Sequence, residues 1–143
     1  MKKKLVSLIL AVALIMSFGS VTAFASDLSQ ASKPTNGAKW TNTSSIVLNL
    51  TFSNGKANAT GTIRGNSNVT SIKATYTLKV KNANGTYSDV HTWPTVTVSG
   101  RTLTFSDSTS ATSGKTYRLY VSATVTASNG TVEYVTDYYE KKY

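Results

Sequence analysis

From Ser44 onward, apolar and polar residues alternate at every second position, interrupted by Asn-Gly and Ser-Gly dipeptides, and no stretch carries a helical period. Successive side chains of an extended chain point to opposite sides, so this pattern predicts half-buried strands. The first runs over 45–52, with Ile46, Leu48, Leu50 and Phe52 inward and Asn49 and Thr51 outward. Ser53-Asn54-Gly55 turns the chain, because Asn and Gly tolerate the positive φ of tight hairpins. The second strand, 56–63, presents Ala57, Ala59, Gly61 and Ile63 inward, side chains small enough for an opposing sheet to approach closely.

After a loop at 65–68, the longest strand spans 69–81. Ile72, Ala74, Tyr76, Leu78 and Val80 face in; Lys73, Thr75, Thr77, Lys79 and Lys81 face out. Ala83-Asn84-Gly85 suits a three-residue hairpin with Gly85 in the left-handed position. The register that follows sets Lys79 opposite Asp89 on the wet side and Leu78 opposite Val90 on the dry side. The return strand ends by Trp93-Pro94, since proline cannot donate to a ladder. Two short strands, 95–98 and 101–105, flank Ser99-Gly100, and the polar stretch 106–114 reads as a connection. A strongly alternating strand then sets Tyr117, Leu119, Val121, Ala123 and Val125 inward against Arg118, Tyr120, Ser122, Thr124 and Thr126. Asn129-Gly130 reads as a type I′ turn, and a last strand covers 131 to about 139. About seven short strands at this spacing predict an all-β antiparallel sandwich.

The run from Ser113 to Ala123, Ser-Gly-Lys-Thr-Tyr-Arg-Leu-Tyr-Val-Ser-Ala, resembles the F strand of fibronectin type III domains. The resemblance implies that Tyr117 forms a corner, its hydroxyl bonded to upstream backbone. The wider pattern is a Trp after the return strand, a Ser-Gly turn, and Gly-x-x-Tyr before a closing hairpin. It resembles small immunoglobulin-like proteins secreted by Gram-positive bacteria. No activity follows from that resemblance, because such folds host many functions.

Ahead of the strands, Met1-Lys2-Lys3-Lys4 precedes an apolar run from Leu5 to Phe18, and Ala23-Phe24-Ala25 supplies a small-x-small cleavage pattern. Residues 1–25 therefore read as a Sec signal peptide cleaved after Ala25, 26–43 as a flexible leader, and 44–143 as the sandwich domain. The apolar run is shorter than the roughly 20 residues a membrane helix needs, so no transmembrane anchor is expected. The chain has no cysteine, which excludes disulfides and thiol chemistry. Removing Lys2, Lys3 and Lys4 lowers the net charge from +9 to +6, a basic balance that suits anionic envelope polymers.

Catalysis finds little support in these residues. His91 is the only histidine, so multi-histidine metal sites are excluded, and no metal or cofactor is expected. Asp89 and His91 fall on one side of their strand by simple alternation, but nothing resembles a nucleophile elbow. Of the acids, Asp27 falls in the leader, Asp107 in a loop and Glu140 in the tail. Binding is the better expectation. Lys73, Lys79 and Lys81, joined by Arg64, form a basic stripe suited to a phosphate-bearing polymer through charge. Trp40, Trp93, Tyr87, Tyr120, Tyr138, Tyr139 and Tyr143 offer flat faces for sugar rings, with Trp93 and Tyr120 the leading candidates. No aromatic residues interleave with the lysines along that strand, so nucleic acid is not expected. The expected function is a secreted, non-catalytic binding or adhesion module at the bacterial cell envelope, taking a glycan or anionic wall polymer. A membrane-active, bacteriocin-like effector is the alternative, and a small secreted hydrolase comes third.

Overall fold

The computed structural model describes residues 31–32 and 40–143. The expected signal peptide and most of the expected leader lie outside the described residues. The elements are β1 (Ala31–Ser32), β2 (Thr43–Ser53), β3 (Lys56–Gly65), β4 (Val69–Lys81), β5 (Tyr87–Thr92), β6 (Val96–Ser99), β7 (Thr102–Ser110), β8 (Thr116–Ala127) and β9 (Val132–Lys142). One sheet has the order β1-β2-β3-β7. The other has β5-β4-β8-β9, with β6 following β5 along the same edge of β4. Every pairing is antiparallel. The two sheets face each other as a sandwich, and no helix occurs among the described residues.

The alternation places the core as expected. Ile46, Leu48, Leu50, Ala57, Ala59, Ile63, Ile72, Ala74, Tyr76, Leu78, Tyr117, Leu119, Val121, Ala123 and Val125 are all buried. Each fully buried Leu or Ile contributes about 1.5–3 kcal/mol relative to exposure. At Gly61 the two sheets lie close together. A Cβ built there would lie 2.5 Å from the Tyr76 ring, so only a residue without one fits beneath that phenol. Tyr76 in turn stacks on Phe105 at 4.1 Å, and Phe105 meets Trp93 edge-on at 5.2 Å. The Tyr117 hydroxyl accepts the N–H of Thr112 at 2.8 Å, the corner that the resemblance implied.

Several details differ from the alternation. Lys79 pairs with Asp89, but Leu78 pairs with His91, because a bulge makes Val90 an extra residue. Val90 is consequently exposed, and Asp89 and His91 sit opposite residues of opposite faces. The stretch 106–110 is strand: Ser106, Asp107, Ser108, Thr109 and Ser110 pair with 56–60 through backbone alone, which needs no apolar pattern. β9 continues to Lys142, so Glu140 belongs to a sheet and not to a tail. The Asn129-Gly130 turn is not type I′. Only Gly130 has positive φ, and bonds from Gly130 N–H to Ala127 C=O and from Ala127 N–H to Thr131 C=O close a three-residue loop. Asn54-Gly55, by contrast, has positive φ at both residues, as type I′ requires. Residues 31 and 32, within the expected leader, pair with Val47 and Ile46.

Two substitutions test this packing. Gly61→Ala should lower stability by about 1–3 kcal/mol in urea unfolding, because the added methyl must displace a buried ring. Tyr76→Phe should leave the midpoint unchanged or raise it, since the buried Tyr76 hydroxyl has no hydrogen-bond partner. Burial also pushes the Tyr76 phenol above its ordinary range. As pH rises beyond about 10, the unfolded phenol ionises while the folded one stays protonated. Wild-type stability should therefore fall there, and Tyr76→Phe should remove that component of the loss.

Candidate outer-face site

The outward residues of β5, β4, β8 and β9 form ordered rows across one sheet. One row reads Asp89, Lys79, Arg118, Glu140; the next reads Thr92, Thr77, Tyr120, Tyr138. Tyr87 lies beside Lys81, one row beyond Asp89. This face carries five cations, Lys73, Lys79, Lys81, Arg118 and Lys142, against two carboxylates, Asp89 and Glu140. It holds most of the positive excess of the domain.

Arg118 is the centre of the arrangement. Its guanidinium lies 3.7 Å from the centroid of Tyr87 and 3.9 Å from that of Tyr138, clasped between two rings from opposite edges of the sheet. A guanidinium is planar and weakly hydrated, so both of its faces can stack on aromatic rings. Arg118 Nη2 also bonds Glu140 Oε2 at 3.1 Å, and the Tyr87 hydroxyl donates to the same oxygen. The result ties β5 to β9 across β4 and β8. Beside it, Lys79 bonds Asp89 at 2.5 Å and lies 5.5 Å from the Tyr120 ring centroid, and Lys81 lies 6.0 Å from that of Tyr87. Hydroxyl pairs continue the face below: Thr77 with Thr92 at 3.1 Å, and Thr75 with Thr95 at 2.7 Å.

The expected site residues thus separate. Lys79, Lys81 and Tyr120 come together on this face. Lys73 shares the face, but it stands six residues from Lys79, about 20 Å along the strand, with Thr75 and Thr77 between. Arg64 belongs to β3 in the other sheet and does not join the stripe. Trp93 is no platform. It is 3 % exposed, packed on Phe105 and His91, and it lines a cleft of about 320 Å³ with Pro94, Val96, Thr104, Phe105, Ser106 and Asp107. Its position after β5, at the sandwich edge, gives it apolar walls, so it completes the core instead of facing solvent.

Trp40 and Tyr139 also pack against the core, while Tyr143 stacks on Phe52 at 4.6 Å and accepts the Gly55 N–H. The outward rings are Tyr87, Tyr120, Tyr138 and Tyr134, the last 81 % exposed. Arg118 and Glu140 escape a strand-by-strand reading. Arg118 is one outward residue among several, and Glu140 lies beyond the expected end of the last strand. The signal that could have found them is the spacing of Tyr138 and Glu140, which alternation continued for three more residues would have put on the outer face.

The bulge sends Asp89 to the outer face and His91 toward Trp93, which separates the pair expected from alternation. Asp107 caps the Ser108 N–H at 2.7 Å. Among the described residues no group of three or more His, Cys, Asp or Glu side chains could hold a metal ion.

The carboxylate of Glu140 is held below its ordinary range, first by the Tyr87 hydroxyl. The Arg118 hydrogen bond and the charges of Lys81 and Arg118 act the same way, and burial partly opposes them. A depressed carboxylate adds stability above its unfolded pKa of about 4.3, and that stability is lost as pH falls through the folded value. A carboxyl-carbon NMR titration should give Glu140 a midpoint below the free value, and Tyr87→Phe should move it up. An unchanged midpoint in the variant would contradict the assignment of the Tyr87 hydroxyl as the main cause.

No family model matches this chain, and no curated relative matches it. Among solved structures it is similar to Spo0M, the sporulation control protein from Bacillus subtilis. The TM-score is 0.34 and the sequence identity 12 %, over 68 % of this chain and 49 % of that chain, so this chain spans about half of that protein's length.

Proposed function

We propose that this chain is a secreted, non-catalytic binding module of the bacterial cell envelope. Its outer face of β5, β4, β8 and β9 would take an extended, phosphate-bearing wall polymer. The observation that carries this reading is the imbalance of five cations against two carboxylates on one face. The Tyr87–Arg118–Tyr138 stack braces that face, so little side-chain freedom is lost on binding. The length of the face favours a polymer over a single small anion, since Lys73 and Lys81 stand well apart along β4. The basic start, apolar run and Ala23-Phe24-Ala25 pattern support export. Within the fold class, the strand partition and the Tyr117 corner support an immunoglobulin-like sandwich of the fibronectin type III kind.

The test is co-sedimentation of the purified protein, beginning at Ser26, with peptidoglycan carrying or stripped of wall teichoic acid. Binding should require the polymer and weaken roughly tenfold between about 50 mM and about 200 mM salt. Lys81→Ala with Lys142→Ala should weaken it further while leaving the unfolding midpoint unchanged. Salt-resistant binding to stripped peptidoglycan would move the reading to sugar rings on Tyr120 and Tyr134. Leakage from anionic vesicles without polymer binding would replace it with a membrane-active role.

A further inference from the structure

Sandwiches expose strand edges, and an unpaired edge is a template on which another chain can add. In an antiparallel sheet the backbone groups of alternate residues point to alternate neighbours, so known bonds at the strand ends fix which N–H groups point outward. Ala111 N–H bonds Gly55 C=O and Gly65 N–H bonds Arg101 C=O, at the two ends of the β3–β7 register. Odd-numbered residues of β7 therefore bond β3, and the N–H groups of Thr102, Thr104, Ser106, Ser108 and Ser110 point to the open edge. β2 is not such an edge, because β1 pairs it at Ile46 and Val47. On the other sheet, Ala127 N–H bonds Thr131 C=O and Tyr143 N–H bonds Lys115 C=O. Hence Val132, Tyr134, Thr136, Tyr138, Glu140 and Lys142 of β9 turn their N–H groups away from β8.

One outward N–H on each of these two edges is already occupied. Asp107 accepts the N–H of Ser108 at 2.7 Å, and Asp137 accepts that of Tyr138 at 2.8 Å. Each is an Asp bonding the next residue, on a different edge, and each splits the run of outward donors that an incoming strand would need. The edge along β5 and β6 carries the Val90 bulge, Pro94 and a strand of only four residues, features that also obstruct pairing.

We propose that Asp107 and Asp137 are edge caps that keep a second copy of this chain from adding to the sheets. Asp107 is the more exposed of the two and gives the cleaner test. Asp107→Asn and Asp107→Ala remove the same charge, but only Asn keeps an acceptor oxygen for the Ser108 N–H. Hydrogen exchange should show the Ser108 amide about two- to tenfold slower than the equally outward amides of Thr104 and Ser106 in the wild type. That difference should persist in Asp107→Asn and vanish in Asp107→Ala.

Light scattering across a concentration series should then show Asp107→Ala forming dimers or larger species, while Asp107→Asn matches the wild type. Two results would overturn the proposal. One is association of Asp107→Asn to the same degree as Asp107→Ala, which would implicate charge. The other is Ser108 exchange that does not respond to Asp107→Ala. The exchange readout does not depend on whether the outer face binds a polymer.

Discussion

The seating of the Tyr76 ring on the bare backbone of Gly61 fixes the register of β4, and the rest of the molecule depends on that register. Side chains along a strand alternate, so a slip of one residue would put Tyr76 in water and Lys79 in the core. Taking a lysine out of water without a partner costs far more than any neighbouring contact returns. Phe105 stacks on the phenol, and a side chain at Gly61 would collide with that ring. With β4 set, β8 follows by pairing through eleven residue partners, and β9 follows β8.

The same parity produces the outer face. Once Tyr76 and Leu78 point inward, Lys79 and Lys81 point outward, and pairing carries Arg118 and then Glu140 into the row of Lys79. The cations do not stand alone in water. Arg118 lies between two tyrosines, and Lys79 has both a carboxylate and a ring beside it. These exposed ion pairs add little to stability by themselves. Their consequence is positional: the cations are held over a flat, threonine-rich surface in a fixed pattern. That is what recognition of a repeating anion would require.

Much of the interior was legible in the sequence, because burial on one side of a strand leaves a period-two record. Ile46 to Leu50, Ala57 to Ile63, Ile72 to Leu78 and Tyr117 to Val125 all read correctly for that reason. Features that leave no such record were not legible. The bulge at Val90 adds one residue without changing composition, so it moved His91 to the other side unannounced. Residues 106–110 pair through backbone while their side chains are small and polar, so nothing marked them as strand. Of the site, Lys79, Lys81 and Tyr120 were readable from parity alone. Trp93 was misplaced because an aromatic beside a proline looks the same whether it faces solvent or closes a core. Arg118 was not singled out because its long side chain acts through one ring two strands away and another on the next strand, contacts that alternation cannot encode.

The most direct test of the register is a proton NOE between the Gly61 α-protons and the Tyr76 ring in the folded protein. A strong cross-peak between them, with none from the Tyr76 ring to Tyr120, is the expected result. A Tyr76 ring that contacts Tyr120 or Thr92 and not Gly61 would place β4 the other way round, and the core and outer face described above would both be wrong.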